Sequence, residues 1–296
     1  MAHASYGRIN SNSSSEKEEP SWRQIDAATL TCGQRIREQF RVRSFFLGHD
    51  NPGLFGRAQC GPSVIYLIWR LIWAVYHVSA ISISGFLTQF YATREENRIK
   101  WFIFLTNWCY LILTCSAILD LIVSVHFYVN KQSFLKGAEA PMPWYCKVLW
   151  VQATISNAIG IEISLVYWLL LHDFSNSFNG YRILPFLTHG MNVIYILLNL
   201  MVTAMPVRLL HFYQPAVFGI VYVLFSVVYT VCGGSNDLDE PYIYSILDWN
   251  NSATFAAILT SGAVVGAMFV HVVIYLIHLL RIFMFRCSRS DGEVMV

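Results

Sequence analysis

Four polar side chains lie in or beside apolar stretches of the chain, where together they could perform ester hydrolysis. They are Thr106, Glu162, His189 and Asn192. A threonine hydroxyl, a histidine and a carboxylate at one depth can act as nucleophile, base and orienting acid. The same side chains can also hydrogen-bond membrane helices to one another, as polar residues in membrane helices often do. Their chemistry alone favours this structural interpretation over the catalytic one.

Two charged residues lie deeper within apolar stretches and predict an ion pair. Arg70 is six residues into the first stretch, and Asp120 is seven residues from the end of the second. At about 1.5 Å per residue, both lie roughly 10 Å from the same membrane surface, and Gln152 lies at a similar depth. An ionisable group inside a membrane costs on the order of 2.5–3.5 kcal/mol, so each should have a partner. We predict that Arg70 and Asp120 pair and fix two helices in register; a proton or ion pathway is the alternative.

The histidines and cysteines predict neither a metal site nor a disulfide framework. The seven cysteines include no C-x-x-C pair, and the nine histidines do not have the spacing of a metal site. We expect no cofactor. The formal net charge of +2 is small and does not indicate a nucleic-acid partner.

The elements that must position these residues are membrane helices. Hydrophobic residues make up 55% of the chain and charged residues 13%, against roughly 45–50% and about 25% in soluble domains. Six stretches have the roughly 20 mostly apolar residues that a membrane helix needs. We predict an all-α polytopic membrane helix bundle with about six transmembrane helices, at Val64–Leu87, Trp101–Phe127, Tyr145–Leu171, Ile183–Met205, Pro215–Cys232 and Ala253–Phe285.

The distribution of charge predicts the domain organisation and the orientation. Residues 1–63 form an N-terminal tail with a disordered start, residues 64–285 the transmembrane domain, and residues 286–296 the C-terminal tail. Fourteen Lys or Arg residues lie on the side of both termini and four on the other side. The positive-inside rule therefore places both termini in the cytoplasm. The acidic loop from Gly233 to Ser252 suits the outside, and its aromatic residues suit the membrane interface.

Two further patterns predict contacts with lipids or with other helices. From Gln34 to Leu47, arginines alternate with bulky apolar residues, which is expected of a segment resting on an anionic inner leaflet; a solvated basic linker is the alternative. Small residues recur every four positions at Ser156, Gly160 and Ser164, and at Gly262 and Gly266. Such faces allow close helix packing, within the bundle by default or between copies of the protein.

Three short motifs resemble the rolling stone family of multipass membrane proteins. They are Trp69-Arg70, His189 with Asn192, and YIYSILDW at Tyr242–Trp249, in which Ser245 stands where the family has proline. The resemblance covers the chain from about Cys32 onward. It implies a role in cell fusion, particularly myoblast fusion during muscle formation, at the plasma membrane.

A more distant similarity is to androgen-induced membrane hydrolases. These enzymes cleave fatty-acid esters of hydroxy fatty acids with an intramembrane threonine and a histidine. The segment from Lys100 to Thr106 resembles their threonine segment and implies Thr106 as the nucleophile. The LTHGMN segment resembles their histidine segment, but Asn192 stands at the position of the catalytic histidine, and an amide is not a general base.

His189 lies three residues before Asn192, on nearly the same helix face, and is the residue that would have to substitute as the base. The presence of Asn192 in place of the catalytic histidine argues against inherited esterase activity. Our leading hypothesis is therefore a rolling stone-like plasma-membrane protein that acts in cell–cell fusion or a related differentiation step, with no demonstrated catalytic centre. A lipid ester hydrolase using Thr106 is the alternative, and a small transporter or channel is a third hypothesis.

Overall fold

The computed structural model describes residues 32–91, 94–130, 142–171 and 185–292. Residues 1–31 of the predicted N-terminal tail lie outside these ranges. Contacts within the chain divide it into residues 1–38 and residues 39–296. The short helix α1 spans this division, and the membrane helices all belong to residues 39–296. The described residues are helical and contain no β-strand; their α-helices are α1 (Cys32–Gln39), α2 (Ser63–Tyr91), α3 (Leu105–Val129), α4 (Trp144–Val166), α5 (Met191–Val202), α6 (Tyr213–Val231) and α7 (Ala253–Gly292).

Five of these helices are long and apolar enough to cross a membrane. The apolar segments are Ser63–Leu87, Leu105–Val129, Trp144–Leu170, Leu209–Val231 and Ala253–Phe285, and Phe186–Val202 is a shorter sixth. Helices are the expected solution because each one satisfies its own backbone hydrogen bonds away from water. The all-α polytopic bundle predicted from the sequence is therefore confirmed. The last apolar segment has 33 residues, or about 50 Å, so it exceeds a hydrocarbon layer of about 30 Å.

The fourth span is shorter than the sequence predicts. It consists of a π-helical turn at Phe186–Gly190 followed by α5, and the chain is extended at Thr203. The prediction that this helix continues to Met205 is wrong. Pro206 directly follows Met205, and a residue before proline is disfavoured in the helical region, so the helix has to end before Met205. The resulting helix is about 25 Å long, so it falls short of the full hydrocarbon thickness.

Two other predicted boundaries also differ from the structure. The fifth span begins at Leu209 rather than Pro215, so it is not short. Pro215 is the third residue of α6, where a missing N–H costs no hydrogen bond within the helix. The second span begins at Leu105 rather than Trp101, because Glu95–Ile103 forms a 3₁₀ helix. The Asn107 side chain donates to the Trp101 carbonyl oxygen across 2.6 Å and holds that turn.

Helix α4 lies at the centre of the bundle, against α3, α5, α6 and α7, whereas α2 packs on α3. The predicted small-residue face of α4 points into this interior. Ser156 is buried, a Cβ at Gly160 would lie 3.1 Å from Ile196 Cδ1, and the Ser164 hydroxyl bonds a backbone carbonyl of the fourth span. This face therefore serves packing within the bundle.

The two ends of the bundle differ in charge. We call the end at which α2 begins and α3 ends the basic end, because Arg41, Arg43, Arg57 and Arg208 lie there. We call the opposite end, with Glu95, Glu96, Asp237, Asp239 and Glu240, the acidic end.

Candidate functional site

A buried ion pair in the basic half of the bundle joins α2 to α3. Arg70 Nη1 lies 2.7 Å from Asp120 Oδ2, and both side chains are buried. Arg70 also donates to Asn199 Oδ1 on α5 across 2.6 Å and to the Tyr66 hydroxyl one turn earlier on α2. The structure thus brings together the two charges whose equal depth predicted a pair. Within the described ranges, Gln152 forms no hydrogen bond with either of them.

A second buried arginine, Arg281 on α7, caps the C-terminal end of the short helix α5. Its guanidinium donates to the Leu200 carbonyl oxygen across 2.8 Å, to that of Thr203 and to that of Met205 across 3.0 Å. The last carbonyls of a helix lack partners within the helix and carry partial negative charge, so a cation suits them. This role was not predicted from the sequence, in which Arg281 lies near the end of the last apolar stretch, close to the basic C-terminal tail.

One contact connects the two arginines into a single network. The Tyr66 hydroxyl bonds Arg70 and shares a hydrogen bond of 3.2 Å with Thr203 Oγ1, whose backbone carbonyl accepts from Arg281. We call this set the buried charge network; its members are Tyr66, Arg70, Asp120, Asn199, Thr203 and Arg281. It connects α2, α3, α5 and α7 across the basic half of the bundle.

A cavity of about 20 Å³ adjoins this network, and Thr154, Asn157, Asn199, Thr203 and His271 contribute polar groups to its wall. This volume is close to that of one water molecule. His271 Nε2 donates to the Arg208 carbonyl oxygen across 2.9 Å. Among the described residues, His271 Nδ1 is buried without a partner.

In the acidic half, Thr106 belongs to a chain of hydroxyl contacts with the loop that precedes α7. It lies within hydrogen-bonding range of the Tyr244 hydroxyl, which in turn reaches Tyr222 on α6. Tyr222 donates to the Ile103 carbonyl oxygen across 2.9 Å. Burial raises the pKa of Tyr244, opposed by its hydrogen bond with Thr106, so the phenol stays protonated and neutral at physiological pH. This arrangement fixes the start of α3 against the YIYSILDW segment.

The other three proposed catalytic side chains have separate partners. Glu162 packs against α7, where a Cβ at Gly266 would lie 2.5 Å from its Oε1 atom. The His189 ring stacks on Tyr167 with the ring centroids 4.2 Å apart. Asn192 donates to the Thr188 carbonyl oxygen on its own helix. Among the described residues, no hydrogen bond or ion pair joins Thr106, Glu162, His189 and Asn192 to one another.

The loops at the acidic end are held together by charged contacts, and we call the paired segments 94–103 and 232–252 the lid. Lys100 Nζ lies 2.7 Å from Ser235 Oγ and 3.6 Å from Asp239 Oδ1. Asn97 Nδ2 donates to the same Asp239 oxygen across 2.9 Å. Asp239 has a positive φ of 63°, which an aspartate tolerates better than most residues. The lid is therefore an ordered surface, although the sequence indicated only the acidic and aromatic character of its second segment.

No metal centre accompanies these sites within the described residues. No three His, Cys, Asp or Glu side chains there come close enough to hold an ion.

The fold and these sites define a multipass helical membrane protein with a buried ionic network. A family model described as protein rolling stone matches residues 35–290, so the chain belongs to the rolling stone family. Protein rolling stone of Drosophila melanogaster is 30% identical over 224 residues, which cover 73% of this chain and 79% of the fly protein. No solved structure matches the chain.

Proposed function

We propose that this protein acts in cell–cell fusion at the plasma membrane, as in the fusion of myoblasts, and that it does so without catalysing a reaction. Membership of the rolling stone family carries the proposal, because the match extends over residues 35–290. The residues support a non-enzymatic role. Asn192 occupies the position at which related hydrolases have their base, and His189 stacks on an aromatic ring.

The lid is the part of the molecule best suited to such a role. Ion pairs and hydrogen bonds hold the two loops in one arrangement, so a partner would meet a preformed surface and would lose less entropy on binding. The lid also lies opposite the basic end, which the positive-inside rule assigns to the cytoplasm. A preformed, outward-facing surface is what an adhesion or scaffold protein needs at a cell junction.

Complementation of fusion tests this function. Cultured myoblasts that lack the protein should show a lower fraction of nuclei in multinucleate cells, and the wild-type chain should restore it. Lys100→Ala should fail to restore fusion, because Lys100 contacts Ser235, Asn236 and Asp239 across the lid. Arg98→Ala is the matched control, since Arg98 is exposed and pairs only locally with Glu95.

Surface biotinylation should show equal amounts of all variants at the plasma membrane. Normal fusion in cells without the protein would contradict the proposal, and so would an exclusively internal location. If Lys100→Ala restored fusion as fully as Arg98→Ala at equal surface levels, the lid would not be the acting surface.

The hydrolase alternative can be tested on the same material. We expect Thr106→Ala to restore fusion, because Thr106 contacts Tyr244 rather than a base. We also expect the purified protein to bind no fluorophosphonate probe and to leave fatty-acid esters of hydroxy fatty acids intact. Probe labelling that disappears in Thr106→Ala, together with a loss of fusion, would replace the proposed function with an enzymatic one.

A further inference from the structure

The segment Gln39–Gly48, here called the interfacial segment, is anchored to the basic end of the bundle largely through its backbone. Arg208 donates to the carbonyl oxygens of Phe46 and Gly48, across 2.6 Å in each case. The Tyr213 hydroxyl donates to the Phe45 carbonyl oxygen across 3.2 Å. These contacts fix the segment beside the point at which the Leu209–Val231 span begins, which is the boundary between membrane and water.

Because its backbone provides the anchor, the segment presents large apolar side chains outward. Phe40 is 65% exposed, Val42 75% and Phe46 65%. Three bulky apolar groups so close together in water would be unfavourable, at roughly 25 cal/mol for each Å² of apolar surface left uncovered. At a membrane boundary, the lipid itself covers such side chains.

The same segment carries positive charge between these apolar groups. Arg41 and Arg43 are exposed, and Arg57 is exposed nearby in the sequence; Asp50 is the one acidic residue from Gln39 to Pro62. The pKa of Arg208 is lowered to about 10, mainly by burial and then by the positive charge of Arg43. Exposed arginines next to apolar side chains suit a surface that is both negatively charged and oily.

We propose that the interfacial segment binds the anionic phospholipids of the leaflet at the basic end. Arg41 and Arg43 contact the negatively charged headgroups, and Phe40, Val42 and Phe46 enter the boundary between headgroups and acyl chains. The positive-inside rule makes this the cytoplasmic leaflet, which is the one rich in anionic lipid. A solvated linker would not need three exposed apolar side chains, and a purely acidic soluble partner would not cover them.

The test uses the full-length protein in nanodiscs of phosphatidylcholine alone or of phosphatidylcholine mixed with phosphatidylserine. A fluorophore is attached at Val42→Cys in a variant whose other accessible cysteines are serine, and a headgroup-labelled quencher lipid reports its depth. We expect stronger quenching in the discs that contain phosphatidylserine. High salt should remove this difference, because it screens the attraction to the headgroups.

Charge and apolar contact are then separated by further variants. Each arginine near an anionic surface changes occupancy roughly fivefold, so Arg41→Gln with Arg43→Gln should lower it about 25-fold and abolish the phosphatidylserine effect. The same fluorophore at Leu238→Cys, an exposed position in the acidic lid, is the control and should not respond to phosphatidylserine. Thermal unfolding in detergent should be unchanged in the double variant, because both arginines are exposed.

Equal quenching of the residue 42 fluorophore in the two lipid mixtures would overturn the proposal. A phosphatidylserine effect that persists in the double arginine variant would also overturn it. If the double variant proves unstable, the salt dependence of the wild-type segment decides the question alone.

Discussion

The basic and acidic halves of the bundle both bury polar side chains, but these side chains connect different parts of the chain. In the basic half, Arg70 and Arg281 each contact at least one other helix, and their partners belong to α3 and α5. In the acidic half, Asn192 bonds the preceding turn of its own span, and Thr106 reaches a loop rather than another membrane helix. The basic half is thus joined by charged side chains across helices, whereas neutral hydroxyl, amide and ring contacts predominate in the acidic half.

This difference indicates what each half contributes to the protein. A buried cation that loses its partner is costly, so the basic half has one stable arrangement. Hydroxyl and amide groups with nearby backbone partners can be removed at lower cost. The acidic half is therefore the part in which the residues at the surface, including the lid, can vary without unfolding the bundle.

The largest effect is expected from Asp120→Asn, which keeps the shape of the side chain but leaves Arg70 without its counter-ion. Removing one partner of a buried ion pair costs about 3 kcal/mol or more. Reversible unfolding in detergent measures this loss. The control is Ser124→Ala on the same helix, since the Ser124 hydroxyl is buried without a partner among the described residues. If the two variants were equally stable, the Arg70–Asp120 pair would not stabilise the basic half.

A smaller and more local effect is expected from Arg281→Met. The carbonyl oxygens of Leu200, Thr203 and Met205 would lose their donor, at a cost of about 2 kcal/mol. Hydrogen exchange should then rise in the last turn of α5 more than elsewhere. Arg281→Lys retains the charge but has fewer hydrogen-bond donors. Its hydrogen exchange in this turn should therefore lie between that of the wild-type protein and that of Arg281→Met. Unchanged exchange in that turn would show that α5 needs no cap.

The acidic half can be tested at two glycines of α7 that are one turn apart. A Cβ at Gly266 would lie 2.5 Å from Glu162 Oε1, whereas a Cβ at Gly262 meets nothing within 4 Å. Gly266→Ala must displace the carboxylate at the flexible end of the Glu162 side chain, so it should cost about 1 kcal/mol, the low end of overpacking. Gly262→Ala should be neutral or stabilise by up to about 1 kcal/mol, because alanine favours the helix. The opposite order would mean that α7 is rotated relative to α4.

The smallest effect is a dependence on pH at the basic end. The pKa of His49 is lowered to about 4, chiefly by burial and then by the charge of Arg208, with Asp50 opposing. Its unfolded pKa is about 6.5, so between these values the unfolded state binds the extra proton. The contribution of neutral His49 to the free energy of unfolding is therefore complete above pH 6.5 and is lost as the pH decreases toward 4.

One proton can change the free energy of unfolding by at most about 1.4 kcal/mol for each pH unit. The change caused by His49 should stay below this limit, because solvent screens a partly exposed ring. Melting temperatures at pH 7 and pH 5 measure it. His49→Gln should show a flatter pH profile than the wild-type protein; equal profiles would assign the dependence to another group.

The helices and the Arg70–Asp120 juxtaposition follow from simple physical requirements that the sequence displays. Long apolar runs must form helices in lipid, and two opposite charges at one depth are expected to meet. The cap by Arg281 was not predictable in this way, because its partners are backbone carbonyls that have no residue signature. Its position inside the apolar segment Ala253–Phe285 was the available signal.

The contacts of Thr106 illustrate a second limit of prediction from sequence. Its position at the start of α3 and its similarity to a nucleophile segment were visible, but its partner Tyr244 comes from a loop more than a hundred residues away. Helical periodicity relates residues that are three or four apart. It does not relate a helix start to a distant loop, so the surroundings of Thr106 required a structure.

A double-mutant cycle on Arg70 and Asp120 tests most directly whether charge joins the helices of the basic half. The free energy of unfolding is measured in detergent for the wild-type protein, Arg70→Met, Asp120→Leu and the combined variant. We predict that the combined variant is more stable than the sum of the single losses implies, with a coupling of about 0.5–3 kcal/mol. Losses that add to within about 0.3–0.5 kcal/mol would contradict a direct interaction between the two side chains.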